Sequence, residues 1–434
     1  MSLRKLGESY KWLVKANSNL DNALYIYKNI DELTHFKKVW SRDRIVERYL
    51  HAFKIFIKRI ITYFSIKRNF VSLPDDCKSL LYVNSSNTYH SLKFLKSKTE
   101  TCFFEQSNRI ASLPSAREVL IHRFKTPIWI TILSVFNFPI YVLFFWNKCI
   151  KHPHLYFENW GKDYVNIKLL RNLNRIEKVI FANDHNVENR LFKIASEHLK
   201  IKTVYLQHAS VTSLFPQLDF DQSFLFGEED FTKYKIVGEV KGEIILAGSP
   251  KLDELYEFRR DSSFRQRQTI GLALNANDET DRIISLVDSI LAKSSYNVII
   301  RMHPGDKRQL EFDSVRIKLH NATKVPLIEF FSKIDFLIAG DSSIHLECMY
   351  LNIPSFFIEL GSEPSKDHYH FLKSGLVQLY PMDVTSDVVF RRLASSDIID
   401  KLKLKKFIHS VGENYDGKVQ ELVNTKLAIT CTEE

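Results

Sequence analysis

Two short stretches in the second half of the chain carry residue types that hold an anion. Arg301-Met302-His303-Pro304 closes one apolar run, and Gly340-Asp341-Ser342-Ser343 closes a later one. The Ser342 and Ser343 hydroxyls, with the N–H groups of a helix starting there, make an anion pocket. Arg301 and His303 add donors to the same strand-end crevice. Such a set suits a phosphate or diphosphate leaving group. Glu347, one turn into the helix, is placed to take ribose hydroxyls, and Asn275 is placed to contact the nucleotide. Singly, Ser343 reads as an N-cap and His303-Pro304 as a turn. Their occurrence at two strand ends of one sheet favours the functional reading.

The first half offers a complementary set. Asn183-Asp184-His185 follows one apolar run and Gln207-His208 closes the next. A histidine or carboxylate there can deprotonate an acceptor hydroxyl, a role that needs a group titrating near neutral pH. His208 is the favoured base and Asp184 the alternative. The plainer readings are a loop-anchoring histidine and an N-cap for the helix from Val187. Asp219-Phe220-Asp221 spells DxD, a metal-holding pattern that is common by chance and lies away from the phosphate pocket. The chain has no GxGxxG, GxxxxGK[ST] or GxSxG, which argues against dinucleotide dehydrogenases, P-loop enzymes and nucleophile-elbow hydrolases. No cofactor and no divalent metal are expected.

These groups need elements to position them. Apolar runs at 79–83, 101–105, 178–182, 203–207, 223–226 and 243–247 read as strands, with a helix over 187–199. A charged stretch at 259–268 suits an interdomain linker. A second series follows, with strands at 269–274, 297–301, 335–339 and 355–358 and helices over 281–293 and from Ser343. Two βα series with short strands imply an α/β protein of two tandem Rossmann-like domains. Ligands in such sheets bind beyond the carboxyl ends of the strands. The boundaries expected are 1–77 for a basic helical extension, 78–256 for the first unit with an apolar insertion at 107–160, 269–390 for the second, and 391–434 for C-terminal helices and tail.

Charge separates the extension from the rest. The 434 residues hold 61 Lys and Arg against 51 Asp and Glu, a net +10. The first 150 hold 24 against 11, so the remainder is slightly acidic. That asymmetry argues against a nucleic-acid binder and for contact with an anionic membrane surface through the N-terminal region. Residues 49–70 interleave an apolar stripe with a basic face, the pattern of an interfacial helix. Residues 126–146 form 21 uncharged positions, long enough to span a bilayer, yet they include Pro127, Asn137 and Pro139. A span would also separate strands of one sheet across the membrane. A broken helix dipping into the cytoplasmic leaflet is preferred to a span or a buried core. Five scattered cysteines read as reduced thiols, and the first residues lack the apolar core of a signal peptide. With 13 Gly and 12 Pro, long disordered stretches are excluded.

The stretches VIFANDHNVENR, TVYLQHAS, ILAGSPKLDEL, VIIRMHP and DFLIAGDSSIHLECMYLNIPSFFIE, spanning about residues 178–360, resemble GT-B-type glycosyltransferases of bacterial surface polysaccharides. The nearest in appearance are the polysialyltransferase and sialyltransferase group and the teichoic-acid CDP-glycerol glycerophosphotransferases. The resemblance implies that His303, Ser342 and Ser343 bind the donor's phosphate and that His208 acts on the acceptor. It implies a metal-independent transferase that takes a nucleotide-activated sugar and a glycan or lipid-linked glycan acceptor. Such an enzyme works at the cytoplasmic face of the inner membrane, as a peripheral or monotopic protein. A polyol-phosphate transferase, a nucleotide-sugar epimerase and a non-catalytic export scaffold are the alternatives.

Overall fold

The computed structural model describes residues 3–28, 45–65, 74–95, 100–105, 120–121, 126–259, 267–303, 305–306, 308–361, 367–382 and 386–427. The first sheet contains β1 (Ser79–Tyr82), β2 (Thr101–Glu105), β3 (Leu120–Ile121), β4 (Lys178–Phe181), β5 (Lys202–Leu206), β6 (Gln222–Leu225) and β7 (Glu243–Leu246). The second contains β8 (Thr269–Ala273), β9 (Asn297–Met302), β10 (Ile317–Asn321), β11 (Phe336–Ala339), β12 (Ser355–Phe357) and β13 (Gln378–Leu379). Their orders are β3-β2-β1-β4-β5-β6-β7 and β10-β9-β8-β11-β12-β13. Every pairing is parallel. The central strands are apolar runs buried on both faces, as a parallel sheet covered by helices requires.

Both sheets reverse their winding at one point. In the first it lies between β1 and β4, in the second between β8 and β11. The crevice beyond the strand ends opens there. Ten strands fall at or within one or two residues of the expected runs. The other three are β3, β10 and β13. β13 is fully exposed and β10 mostly so, and both are edge strands, which carry polar residues that mask an apolar pattern.

The N-terminal extension and the apolar insertion share one core with a helix that covers the first sheet. Leu20, Leu24, Ile130, Tyr141, Trp146, Trp160 and Leu191 pack together, the last on the helix Val187–His198 that covers the sheet. On the sheet side of that helix, Phe192 lies 4.6 Å from the Tyr82 ring. The run at 126–146 folds as the helix Ile128–Phe144 with Pro139 inside it. Among the described residues, no helix is long and apolar enough to cross a membrane. β1, β2 and β4 lie in one sheet, as the objection to a span required.

The chain crosses between sheets twice. Outbound, Arg259 forks onto Asp416 at 2.7 and 3.2 Å, donates to the Tyr350 carbonyl at 3.0 Å and stacks on the Tyr350 ring. On the return, Val419, Val423 and Leu427 join the core beneath the first sheet. The Asp253 carboxylate accepts the Val419 and Gln420 N–H groups at 3.0 and 2.7 Å, tying down the start of that last helix. Gly227 is required at the top of the first unit, because a Cβ there would strike the Lys406 and Phe407 backbone. The two sheets are thus held together by backbone, core and ion pair.

Candidate active site

At the switch point of the first sheet, side chains form a closed network. The Asn84 amide donates to Asn189 Oδ1 at 2.5 Å, and Asn189 donates to the Asn183 carbonyl at 2.9 Å. Asn183 Oδ1 accepts the His185 and Asn186 N–H groups at 3.1 and 2.8 Å, shaping the loop after β4. Asp184 is buried. Its Oδ2 accepts the Tyr234 hydroxyl at 2.6 Å and its Oδ1 lies 3.0 Å from His185 Nδ1. The His185 side chain keeps 20% of its exposure and its ring packs on Phe215 at 4.1 Å. With the Nδ1 proton directed at Asp184, Nε2 carries the lone pair, 3.3 Å from the Asn183 amide nitrogen. A carboxylate behind an imidazole sets its tautomer and stabilises its protonated form.

His208 sits in the neighbouring loop, after β5, under different conditions. Burial, with Lys251 and His185 nearby, pulls its pKa down to about 3. Its Nδ1 is buried without a partner. Gln207 beside it anchors the loop, donating to Asp230 Oδ2 at 2.5 Å while its Oε1 accepts the Phe226 N–H at 2.8 Å. Burial thus holds the His208 imidazole neutral, whereas the His185 ring keeps part of its exposure at the crevice. Asp184 itself is enclosed and held by Tyr234, which suits it to orienting the imidazole.

The second switch point is more open. Asn275 follows β8, and its amide is the atom that a Cβ on Gly340 would meet at 2.8 Å. Glycine at the end of β11 therefore makes room for Asn275. Ser342 and Ser343 are half-buried, and the Ser343 side chain does not cap the helix Ile344–Tyr350 that it begins. That helix has seven residues, so its dipole adds little beyond the first N–H groups. Asp341 donates nothing and accepts the His368 N–H at 2.7 Å through Oδ2; its Oδ1 is buried without a partner. Behind the loop, His345 lies 2.8 Å from the Gly340 carbonyl and 2.6 Å from Ser355 Oγ. Burial pulls its pKa down to about 4, so it is a neutral strut. Arg308 donates to the Asn275 and Asp278 carbonyls and pairs with Asp306, stitching the loop after β8 to the loop after β9.

Arg301 and His303 approach from β9. Two strand spacings of about 4.8 Å separate β9 from β11, so these groups and the serines flank Asn275 from opposite sides. His303 is exposed at the rim, with Nδ1 accepting the Gly305 N–H at 3.1 Å. Arg301 is turned partly away. It donates to the Val325 carbonyl at 2.9 Å and lies over the Phe330 ring. Burial raises the pKa of Glu347, opposed by Lys251 and Arg301. Lys251 donates to the His208 carbonyl within the first unit at 2.8 Å, and its charge is felt by Glu347 of the second. Lys251 and Glu347 thus lie near enough for their charges to interact across the two units.

The DxD residues hold protein instead. Asp219 takes a forked pair from Arg190 at 2.7 and 3.2 Å and lies 3.1 Å from Lys193. Asp221 accepts the Thr203 N–H and hydroxyl at 2.7 and 2.9 Å. Among the described residues, no group of three His, Cys, Asp or Glu is disposed to hold a metal ion.

No protein-family model matches the chain, and no curated protein matches it. Solved structures do. CalG4, the calicheamicin glycosyltransferase, aligns over 81% of this chain and 98% of its own, with TM-score 0.50 and 10% identity. The chain has the GT-B fold. S. aureus MnaA in complex with UDP aligns over 82% and 99%, with TM-score 0.49 and 11% identity. MurG of Acinetobacter baumannii aligns over 80% and 99%, with TM-score 0.46 and 11% identity.

Sequence reasoning placed Asn275, Ser342 and Ser343 at one GT-B switch point and Asp184 at the other. It named His185 beside Asp184 without choosing it, and it passed over Lys251 and Arg308. His185 was legible as the neighbour of Asp184 at a strand end. Lys251 and Arg308 carry no motif; their roles arise from contacts between loops far apart in the chain.

Proposed function

We propose that the chain is a glycosyltransferase of bacterial surface-polysaccharide assembly. It moves a sugar from a nucleotide-activated donor to a glycan or lipid-linked glycan acceptor and uses no metal. The observation that carries this reading is the Asp184–His185 pair at one switch point, across a shared cleft from half-buried hydroxyls at the other. The GT-B fold, seen in the glycosyltransferase CalG4, supports it, as do the stretches resembling surface-polysaccharide enzymes.

In this mechanism the acceptor hydroxyl gives its proton to His185 Nε2. Asp184 steadies the resulting imidazolium. The acceptor oxygen attacks the anomeric carbon, and the bond from that carbon to the donor phosphate oxygen breaks. The electron pair leaves with the nucleotide. Ser342, Ser343 and His303 meet the charge that develops there, with Arg301 and Lys251 adding positive potential. Asn275 holds the nucleotide side of the donor.

Thermal melting with CMP, CDP, UDP or GDP tests the donor site, because a ligand at about 100 times its Kd stabilises by about 2.7 kcal/mol. One nucleotide should raise the melting temperature, and the matching sugar donor should turn over only with acceptor. No response to any of the four would favour the scaffold reading. Epimerised donor without acceptor, or transfer of a polyol phosphate, would replace the reaction while keeping the site.

A further inference from the structure

The helix Ile128–Phe144 is built inside out. A helix on a water-soluble protein turns its apolar stripe to the core and its polar face to water. Here the core side carries Thr131, Ser134, Asn137 and Tyr141, all buried. Asn137 donates to Tyr156 Oη at 2.9 Å and to Asn17 Oδ1 at 2.6 Å, and Trp160 Nε1 donates to the same Asn17 oxygen at 2.8 Å. The outward side carries Trp129, Phe136, Ile140, Leu143 and Phe144, with Phe136, Leu143 and Phe144 71%, 76% and 77% exposed.

The helix Ile45–Ser65 lies against it and repeats the theme. Val46, Leu50, Phe53 and Phe64 are exposed at helical spacing along one stripe. Both helices close over one ring of the helix Pro153–Asn159: Phe56 meets Phe157 from one side and Phe138 from the other. Arg59 fixes the pair from beneath by donating to the Phe157 and Trp160 carbonyls. The two apolar stripes thus form the outer surface of one helical layer.

We propose that this layer docks on an anionic phospholipid leaflet. Charge selects that occupant. Lys54 and Lys58 are exposed on the first of the two helices, and Lys148 and Lys151 are exposed just beyond the second. All but Lys151 belong to the first 150 residues, which carry 24 basic against 11 acidic side chains. A buried face of a second copy would need acidic partners for them, whereas a lipid surface offers phosphates at the depth where lysines beside an apolar stripe end. The helix of 17 residues is about 25 Å long and is anchored along its polar side. It lies in the interface; Asn137 and its partners keep it from crossing.

Flotation of the full chain with phosphatidylcholine vesicles, with and without phosphatidylglycerol, reads this directly and needs no nucleotide or acceptor. Its outcome is therefore separate from the catalytic reading. The chain should float with anionic vesicles and less with neutral ones, and salt should weaken it. The triple variant F136S/L143S/F144S should lose vesicle binding by about tenfold or more. K54E/K58E should lose binding chiefly on anionic vesicles. All five side chains are exposed, so melting temperatures should stay near the parent's. A parent chain that fails to float overturns the proposal, as does a triple variant that floats equally well. A parent that is dimeric by light scattering, with a monomeric triple variant and no flotation, assigns the face to a second copy and also overturns it.

Discussion

The two switch points share a position in their sheets and differ in their state. At the first, Asn84, Asn189, Asn183, Asp184, His185 and Tyr234 are already bonded to one another. At the second, Ser343 leaves its own helix uncapped. A proton-transfer group must be oriented before substrate arrives, because its geometry sets the rate. A phosphate site needs donors left vacant for the ligand, each of which costs folding energy until it is filled. The same loop position therefore serves as a finished device in one half and an unfinished one in the other.

The largest expected effect breaks the finished half. His185→Ala should lower kcat by about 10²–10⁴, the usual range for losing a general base. Asp184→Asn should fall in the same range, since it disturbs the tautomer of His185. Nucleotide-induced stabilisation should survive in both, because the donor groups lie on the other sheet. His208→Gln should cost far less than His185→Ala, since burial holds its imidazole neutral with a pKa of about 3. A reversed ranking in steady-state kinetics would return the base to His208.

Next comes the unfinished half. Ser342→Ala with Ser343→Ala should lower kcat/KM by about 10²-fold by removing donors to the leaving phosphate. Here the nucleotide response should weaken too, which separates the two halves experimentally. Melting without ligand should barely change, because Ser343 caps nothing in the free protein.

How much of this could be read in the sequence follows from the same contrast. Central strands announce themselves, because burial on both faces demands continuous apolar runs such as Lys178–Phe181 and Phe336–Ala339. The crevice then follows from strand order, so Asp184, Asn275 and Ser342 could be placed without coordinates. Side-chain direction could not. Arg301 ends its strand where expected, yet its guanidinium goes to the Val325 carbonyl. Glu347 sits one turn into its helix, yet burial raises its pKa against the opposing charges of Lys251 and Arg301. Such contacts arise between residues far apart in the chain, where no local pattern announces them. The outward apolar face of Ile128–Phe144 was half legible: the run of 21 uncharged residues is plain, but only packing shows that Asn137 points inward.

Acid stability probes the strut beneath the second loop. His345 is neutral in the fold with a pKa of about 4, while in the unfolded chain it titrates near its ordinary value of 6.5. Below that value the unfolded state gains a proton that the folded state refuses. Stability is therefore unaffected above about pH 6.5 and falls as pH drops toward about 4, by up to about 3 kcal/mol. His345→Gln keeps a donor and an acceptor on a group that does not titrate. Melting from pH 7 to pH 4 should show a shallower decline in the variant, and equal slopes would place the acid sensitivity elsewhere.

The smallest effect has the opposite sign. Asp278 braces the donor loop by accepting the Asn275 N–H at 2.7 Å, and burial raises its pKa to about 6. The folded chain keeps this proton at a pH where the unfolded chain, near 3.8, has lost it. Folding therefore loses stability as pH rises toward and through about 6, and the penalty persists at neutral pH. Arg308 offsets part of it. Asp278→Asn retains an oxygen for the Asn275 N–H and discards the buried charge. Partial exposure trims the gain to about 1 kcal/mol at pH 8, with none at pH 4. Such a gain would locate stored instability in the loop that meets the donor, as expected of a site left open until its ligand arrives. A variant destabilised at pH 8 would instead make Asp278 part of the finished framework, and the contrast between the two switch points would narrow.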